Sequence, residues 1–189
     1  MNFEKSCIMN CVTKKSLSVQ NIFSREGQVI ENVSSLKLLG ITFSPNLSWN
    51  DHFSVITSKC YKRFFILRNL KQAGCSSALL YKCYVAFIQS LMLYGFPSFC
   101  NSPKYLIKKF LRVERRASRF FSDYDFPSFV SVSDNACKSL FLNIASNPNH
   151  SLRCMFNSRT ATPRDPSTLC PPFSKTARFS NSFIKYARR

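Results

Sequence analysis

The sequence is poor in the residues from which enzymes build sites. Its two histidines, His52 and His150, lie far apart, which excludes a metal-spaced histidine pair and a workable Ser/His/Asp set. Four glycines supply no Gly-rich phosphate loop. Acidic residues number nine against 27 Lys and Arg. Asp123 and Asp125 are close in sequence but follow a helical pattern amid Phe, Tyr and Ser, not as paired carboxylates suited to two metal ions. The nine cysteines contain no C-x-x-C pair, and several sit in apolar helical patterns. A thiol there behaves as a small hydrophobe, which argues against a disulfide framework and for a reducing intracellular compartment, nucleus and cytoplasm being equivalent on this ground. The start, "MNFEKSCIMNC", lacks the basic-then-apolar order of a signal peptide. No self-contained active site, small-molecule substrate, metal or cofactor is expected.

What is present points to a polyanion. The chain has 189 residues, 45% of them hydrophobic, enough for one ordinary domain or two small ones. Its formal charge of +18 suits nucleic acid or an acidic membrane surface. The charge is unevenly spread: residues 51–122 carry thirteen Lys or Arg against Asp51 and Glu114, a net of +11. Residues 123–150 carry Lys138 against Asp123, Asp125 and Asp134, a net of −2.

Short β-type runs at Cys7–Val12, Ser18–Phe23, Gln28–Glu31 and Leu36–Phe43 predict a small antiparallel sheet, the middle two joined through Arg25-Glu26-Gly27. Gly40 lies inside the last run, where glycine weakens a strand, and marks either a bulge or a close backbone approach. Ser44-Pro45-Asn46 reads as a turn. Ser48 then caps a helix to about Ala73, whose stripe Phe53, Ile56, Cys60, Phe64, Leu67 and Leu70 faces a core while Lys59, Lys62, Arg63 and Lys71 lie around it. The segment Ser77–Tyr94 is apolar almost all round, which predicts a central helix. Lys82, Gln89 and Ser90 interrupt it and disfavour a membrane span. Ser102-Pro103 predicts the start of a third helix, to about Phe121, with Leu106, Phe110, Val113, Ala117 and Phe120 on one face. Lys108, Arg112, Arg115 and Arg119 line another, joined by Lys109 and Arg116, and Glu114 is its only acid. Like charges at i,i+4 are mildly destabilising, so this face reads either as a phosphate-contacting surface or as a solvated one. Asp123–Pro127 reads as a linker, Cys137–Ala145 as one short helix, and the Pro-, Ser- and Arg-rich stretch from Asn147 as a loosely ordered tail.

Several of these stretches, in order, resemble the non-LTR retrotransposon (LINE-type) reverse transcriptases. "NFEKSCIM" (Asn2–Met9) and "KLLGITFSPNLSWNDHF" (Lys37–Phe53) are similar to the segment downstream of that family's catalytic aspartates. "LYKCYVAFIQSLMLYGFPSF" (Leu80–Phe99), "LIKKFLRVERRASRFF" (Leu106–Phe121) and "ARFSNSFIKYARR" (Ala177–Arg189) continue the likeness. The resemblance implies an α+β chain in three parts: a palm remnant and primer-grip sheet over 1–47, a three-helix thumb-like bundle over 48–122, and a C-terminal segment over 123–189. It places Leu38, Leu39 and Gly40 in the primer-grip hairpin, where glycine lets a nucleic-acid backbone approach. Trp49 reads as a packing anchor between hairpin and thumb, and His52 as a structural hydrogen-bonder.

Lys5 falls where the family has a lysine that helps pyrophosphate leave. Lys59, Lys62, Arg63, Lys108, Lys109, Arg112, Arg115, Arg116 and Arg119 would track an RNA/DNA template–primer duplex through its phosphates. The family's catalytic aspartates, which hold Mg²⁺, precede the matching region and are absent from this chain. It therefore reads as a truncated, C-terminal piece of an RNA-directed DNA polymerase that binds template–primer without polymerising. The alternatives are a stand-alone basic nucleic-acid-binding or interaction module and, less favoured, a membrane-associated protein using Ser77–Tyr94.

Overall fold

The computed structural model describes residues 6–11, 27 and 30–155. They form an α+β arrangement of two small sheets and a set of helices, in two compact units that divide after Ser58.

In the first unit, β1 (Cys7–Ile8) pairs in parallel with β2 (Glu31–Asn32). The sequence run Leu36–Phe43 is not one strand but a hairpin, β3 (Leu36–Leu38) and β4 (Ile41–Phe43), with Leu36 opposite Phe43 and Leu38 opposite Ile41. The β3–β4 and β1–β2 pairs remain separate sheets, in place of the single small antiparallel sheet expected. Leu39 and Gly40 make the two-residue turn with φ of 48° and 84°. Positive φ at both central positions is what a type I′ turn requires, because its twist matches that of the flanking strands. Gly40 adopts that conformation freely, which answers the bulge alternative: it reverses the chain. Leu39 adopts it against the left-handed penalty of a side chain. Residues Ser18–Phe23 and most of the Arg25–Gly27 link lie outside the described residues.

Ser44-Pro45-Asn46 is a turn, closed by the Leu47 N–H donating to the Ser44 carbonyl at 2.8 Å. Ser48 does not cap the next helix. Its N–H donates to Asn46 Oδ1 at 2.9 Å, and its carbonyl lies 2.9 Å from the Ser44 hydroxyl. These local bonds hold Ser48 in the turn, so α1 (Asn50–Gln72) starts later, with the Phe53 N–H donating to the Trp49 carbonyl. Trp49 packs against Phe43 of β4 (centroids 5.7 Å apart) and edge-on to His52 (6.0 Å). His52 is buried, and its Nδ1 accepts the Thr42 N–H at 3.2 Å. Acceptance at Nδ1 requires the neutral imidazole with its proton on Nε2. Strand β4 and the first turn of α1 are thereby locked together, the packing and hydrogen-bonding roles expected of these two residues.

The second unit begins within α1, which buries Cys60, Phe64 and Leu67. The helix ends in a Schellman motif: Cys75 N–H bonds back to the Leu70 carbonyl and Gly74 N–H to that of Lys71, with Gly74 at φ 77°. The apolar segment then runs as α2 (Ser77–Tyr84), a π-helical stretch (Val85–Gln89) and α3 (Ser90–Leu93). Ser76 caps its start by accepting the Leu79 N–H. Leu80, Tyr84, Ile88, Gln89 and Met92 are buried, but Leu79, Val85 and Phe87 are exposed. The segment is therefore not the all-round buried central helix that its composition predicts. A wider π turn shifts the register of the following side chains, so two neighbours, Ile88 and Gln89, turn inward while Phe87 faces out.

Gly95, at φ 67°, leads into α4 (Phe96–Phe99). The Ser102 hydroxyl donates to the Phe99 carbonyl at 2.6 Å, closing α4, so Pro103 and not Ser102 stands at the N-cap of α5 (Lys104–Ser118). Leu106, Phe110, Val113 and Ala117 are its buried stripe, as expected, but past the end of the helix Phe121 and not Phe120 continues it: Phe121 is fully buried and Phe120 half-buried. Asp123–Pro127 lies outside the helices, as the linker reading expects, but the short helix Cys137–Ala145 is corrected to α6 (Phe129–Ser146), an 18-residue helix capped by Ser128 and packed on α4 and α5. Its period is blurred in sequence because Ser133 occupies a buried position while Val130 and Leu142 are exposed. Phe129 anchors it edge-on between Phe96 (5.6 Å) and Phe110 (5.5 Å).

The hairpin turn yields a direct test. Replacing Leu39 by Asn, which tolerates the left-handed region, creates the Asn-Gly pair that type I′ turns prefer. The variant is expected to be more stable by about 0.5–1 kcal/mol, read as a higher midpoint in a urea titration followed at Trp49. Loss of stability would rule out the turn conformation assigned to Leu39.

Candidate nucleic-acid interface

Helix α5 separates two chemistries by its period. At ~100° per residue, Lys104, Lys108, Arg112, Arg115 and Arg119 fall within about 80° of arc, opposite the stripe that begins at Leu106. All five are exposed. At ~1.5 Å per residue they form a ridge about 22 Å long. Lys104 extends the row read from sequence. Its signal was its position one turn before Lys108, on the same face of the helix.

Glu114 does not neutralise this ridge. It lies to one side of it, half-buried, and its carboxylate accepts the N–H of Phe129 at the start of α6. Burial pushes the Glu114 carboxyl above its ordinary value of 4.5, and the Phe129 N–H partly opposes that rise. Glu114 is thus a capping group for α6, the one acid of the basic helix engaged by a backbone donor.

Two of the expected phosphate contacts have structural partners. The Arg116 guanidinium lies over the rings of Tyr61 (5.3 Å) and Phe64 (5.4 Å), a cation–π arrangement that fastens α5 to α1. Arg63 Nη1 donates to the Phe87 carbonyl in the π-helical stretch, and the Ser90 hydroxyl donates to the neighbouring Ala86 carbonyl. The widened turn, in which Ser90 N–H bonds to Val85, changes the usual carbonyl partners, and these two side chains supply donors. Lys71 Nζ donates to the Arg119 carbonyl at 3.1 Å and sits over Phe120, which stacks on Phe64. A cation there also complements the C-terminal end of the α5 dipole.

The remaining expected residues are distributed as follows. Lys59 and Lys62 are exposed on α1, and Lys109 is half-buried beside the ridge. Leu38 ends β3, and Leu39 and Gly40 form the hairpin turn in the first unit, with Leu39 81% exposed. Lys5 lies outside the described residues. Cys60, Cys100 and Cys137 are free thiols buried in the second unit, as their apolar contexts imply. Burial pushes the Cys60 thiol up to about 12, far from a reactive thiolate.

Among the described residues, no group of three or more His, Cys, Asp or Glu could hold a metal ion. They do not fit a Mg²⁺ centre of the two-metal kind, and no phosphoryl-transfer step is assigned to them. Among the same residues, no helix is long and apolar enough to cross a membrane.

No protein-family model matches the chain, and no solved structure matches it. Over 116 residues it is 30% identical to a protein of Drosophila melanogaster described as a probable RNA-directed DNA polymerase from transposon BS. The matched stretch covers 60% of this chain and 13% of that relative. The similarity relates the chain to a transposon reverse transcriptase, of which it spans a small part.

The Glu114 cap predicts an unusual pH response. A carboxyl whose folded value is raised binds its proton more tightly in the folded chain than in the unfolded one. Its contribution is therefore fully present below pH ~4.5 and is lost as pH rises through the raised folded value. Glu114→Gln keeps an oxygen for the Phe129 N–H and removes the charge. Its Tm is expected to equal that of the wild type at acid pH and to exceed it near neutrality. A variant less stable at neutral than at acid pH, relative to wild type, would mean that the charge itself stabilises α6.

Proposed function

We propose that the second unit binds a nucleic-acid duplex through the phosphates along the α5 ridge, and that the chain is a template–primer-binding part of an RNA-directed DNA polymerase. One observation carries this reading. Five exposed cations stand in a row opposite the buried face of a single helix, whose only acid is turned to the N-terminus of α6. A solvated face would be expected to alternate signs, since like charges at i,i+4 repel. A phosphate-tracking face needs one sign, repeated, on a rigid support.

The likeness to the transposon polymerase supports the partner class, as its described activity acts on nucleic acid. Contact through Lys and Arg to phosphates gives binding that depends on salt and little on sequence. Lys59 and Lys62 extend the cationic surface along α1. Arg63 and Arg116 serve this surface as structural residues. The β3–β4 hairpin, with Leu38, Leu39 and Gly40 at its tip, is proposed as the primer-grip element, and the divisions 1–47, 48–122 and 123–189 as the ancestral boundaries. On this reading the chain by itself binds template–primer and does not extend it. Primer extension by the purified chain with Mg²⁺ and dNTPs, above a heat-killed control, would contradict that part.

The ridge is tested by salt titration of duplex binding. Each phosphate neutralised on B-DNA contributes ~0.9 to the negative slope of log K against log salt. Replacing Arg112, Arg115 and Arg119 together by Gln is expected to flatten the slope by roughly 2–3 while helix content is kept, because Gln retains helix propensity. Arg116→Gln is expected to leave the slope nearly unchanged and to lower stability by about 0.5–1 kcal/mol. A triple variant with the wild-type slope, or vesicle binding that exceeds duplex binding at equal salt, would rule out the ridge as the phosphate contact.

A further inference from the structure

We propose that Phe65, with Tyr61 beside it, is a stacking platform for unpaired bases, so that the preferred ligand is a duplex carrying a single-stranded extension. This rests on the α5 ridge as the duplex contact and adds the strand that leaves it. Phe65 is 65% exposed in the middle of α1, more than any other aromatic residue among those described. Leaving a phenyl ring in water on an otherwise well-packed helix forgoes substantial burial energy. Its surroundings indicate what covers it.

Tyr61 lies one turn before it and is itself 38% exposed. Lys62 and Arg68, three residues to either side, are exposed cations on the same flank of the helix. Asn69 and Gln72 are also exposed there. The exposed apolar area on this flank is therefore Phe65 and the part of Tyr61 beside it, framed by cations and amides, not the larger contiguous patch that a protein partner normally needs. One ring between cations suits a nucleobase, whose face stacks on the aromatic while neighbouring phosphates meet Lys or Arg.

The platform is also continuous with the ridge. Arg116 covers Tyr61 at 5.3 Å, and on α5 it stands four residues after Arg112 and three before Arg119, within one turn of each. A path of cations and rings thus runs from Arg112 and Arg119 through Arg116 and Tyr61 to Phe65. Phosphates on the ridge fix the duplex, and the first unpaired bases beyond it reach Phe65. Stacking has little sequence preference because every base has a π face, so the platform would recognise a junction and not a sequence.

The test uses the full chain and two probes of equal duplex length, one blunt and one with a short single-stranded extension, at several salt concentrations. Wild type is expected to bind the extended probe more tightly. Phe65→Ala is expected to remove that advantage, a loss of roughly 5- to 150-fold for the extended probe, with blunt-duplex affinity and its salt slope unchanged. Phe65→Trp is expected to restore the advantage. Far-UV circular dichroism and melting curves of each variant check that an exposed substitution leaves the fold intact.

Equal wild-type affinity for the two probes, or an equal loss for both in Phe65→Ala, overturns the platform while leaving the ridge in place. Absence of salt-dependent binding to the blunt duplex overturns the ridge and the platform with it. A retained preference for the extended probe in Phe65→Ala, together with a change in sedimentation, overturns the platform in favour of a protein-contact role for Phe65.

Discussion

The hydrogen bond from the Phe129 N–H to the Glu114 carboxylate joins the two halves of the helical unit's design. Seen from α6, it satisfies a backbone donor at a helix start that would otherwise be buried beside Phe110 and Phe96. Seen from α5, it turns the only acid away from a row of cations. A helix with seven Lys or Arg, counting from Lys104 to Arg119, gains no support from repelling neighbours. Its formation depends on tertiary packing: the stripe Leu106, Phe110, Val113 and Ala117 is buried, and α6 closes over it. The core face therefore stabilises the helix that the charged face alone would weaken, and the charge is held in one place.

Positive charge in this unit performs two kinds of work. Arg63, Arg116 and Lys71 each meet a partner inside the protein: a carbonyl of the π-helical stretch, a pair of aromatic rings, and the carbonyl of Arg119. They bring α1 into contact with the π-helical stretch and with α5 through groups that also tolerate water. Lys104, Lys108, Arg112 and Arg115 instead project from the side of α5 opposite its core. The first group fixes the support on which the second is displayed, and a displayed row is useful for binding phosphates only if its spacing is fixed. Arg116 belongs structurally to the first group while lying beside the second, which makes Tyr61 and Phe65 neighbours of the ridge.

The first unit follows a different logic. Its hairpin is small and its turn includes a leucine in a conformation that favours glycine, so the hairpin owes its order to what it meets. Thr42 and Phe43 are joined to the start of α1 by His52 and Trp49. Two strands of three residues are marginal alone, and a hydrogen bond plus aromatic packing to a helix terminus is the kind of support they need.

The sequence by itself determined the elements whose apolar period is uninterrupted. The stripes of α1 and α5 were legible except at their C-terminal ends, where Leu70 and Phe120 are only half-buried; so were the turn at Ser44-Pro45-Asn46, the end of α1 at Gly74, and the cationic face of α5. Those signals are local, because a 3.6-residue period and a glycine at positive φ are read within one or two turns of chain. Tertiary structure decided what local signals leave degenerate. The run Leu36–Phe43 reads as one strand interrupted by a glycine, which fits a bulge as well as a turn, and only pairing across Leu39-Gly40 makes it a hairpin. The segment Ser77–Leu93 is apolar on most sides, and the π turn chooses which of those sides is buried. Helix α6 was obscured by a serine in its core stripe and leucine outside it, and its first residue, Phe129, is held by Phe96, Phe110 and Glu114 from elsewhere in the chain. The same physics sorted the cations. A Lys or Arg side chain is long enough to serve a phosphate, a carbonyl or a ring, and only the fold determines which of these lies within its reach.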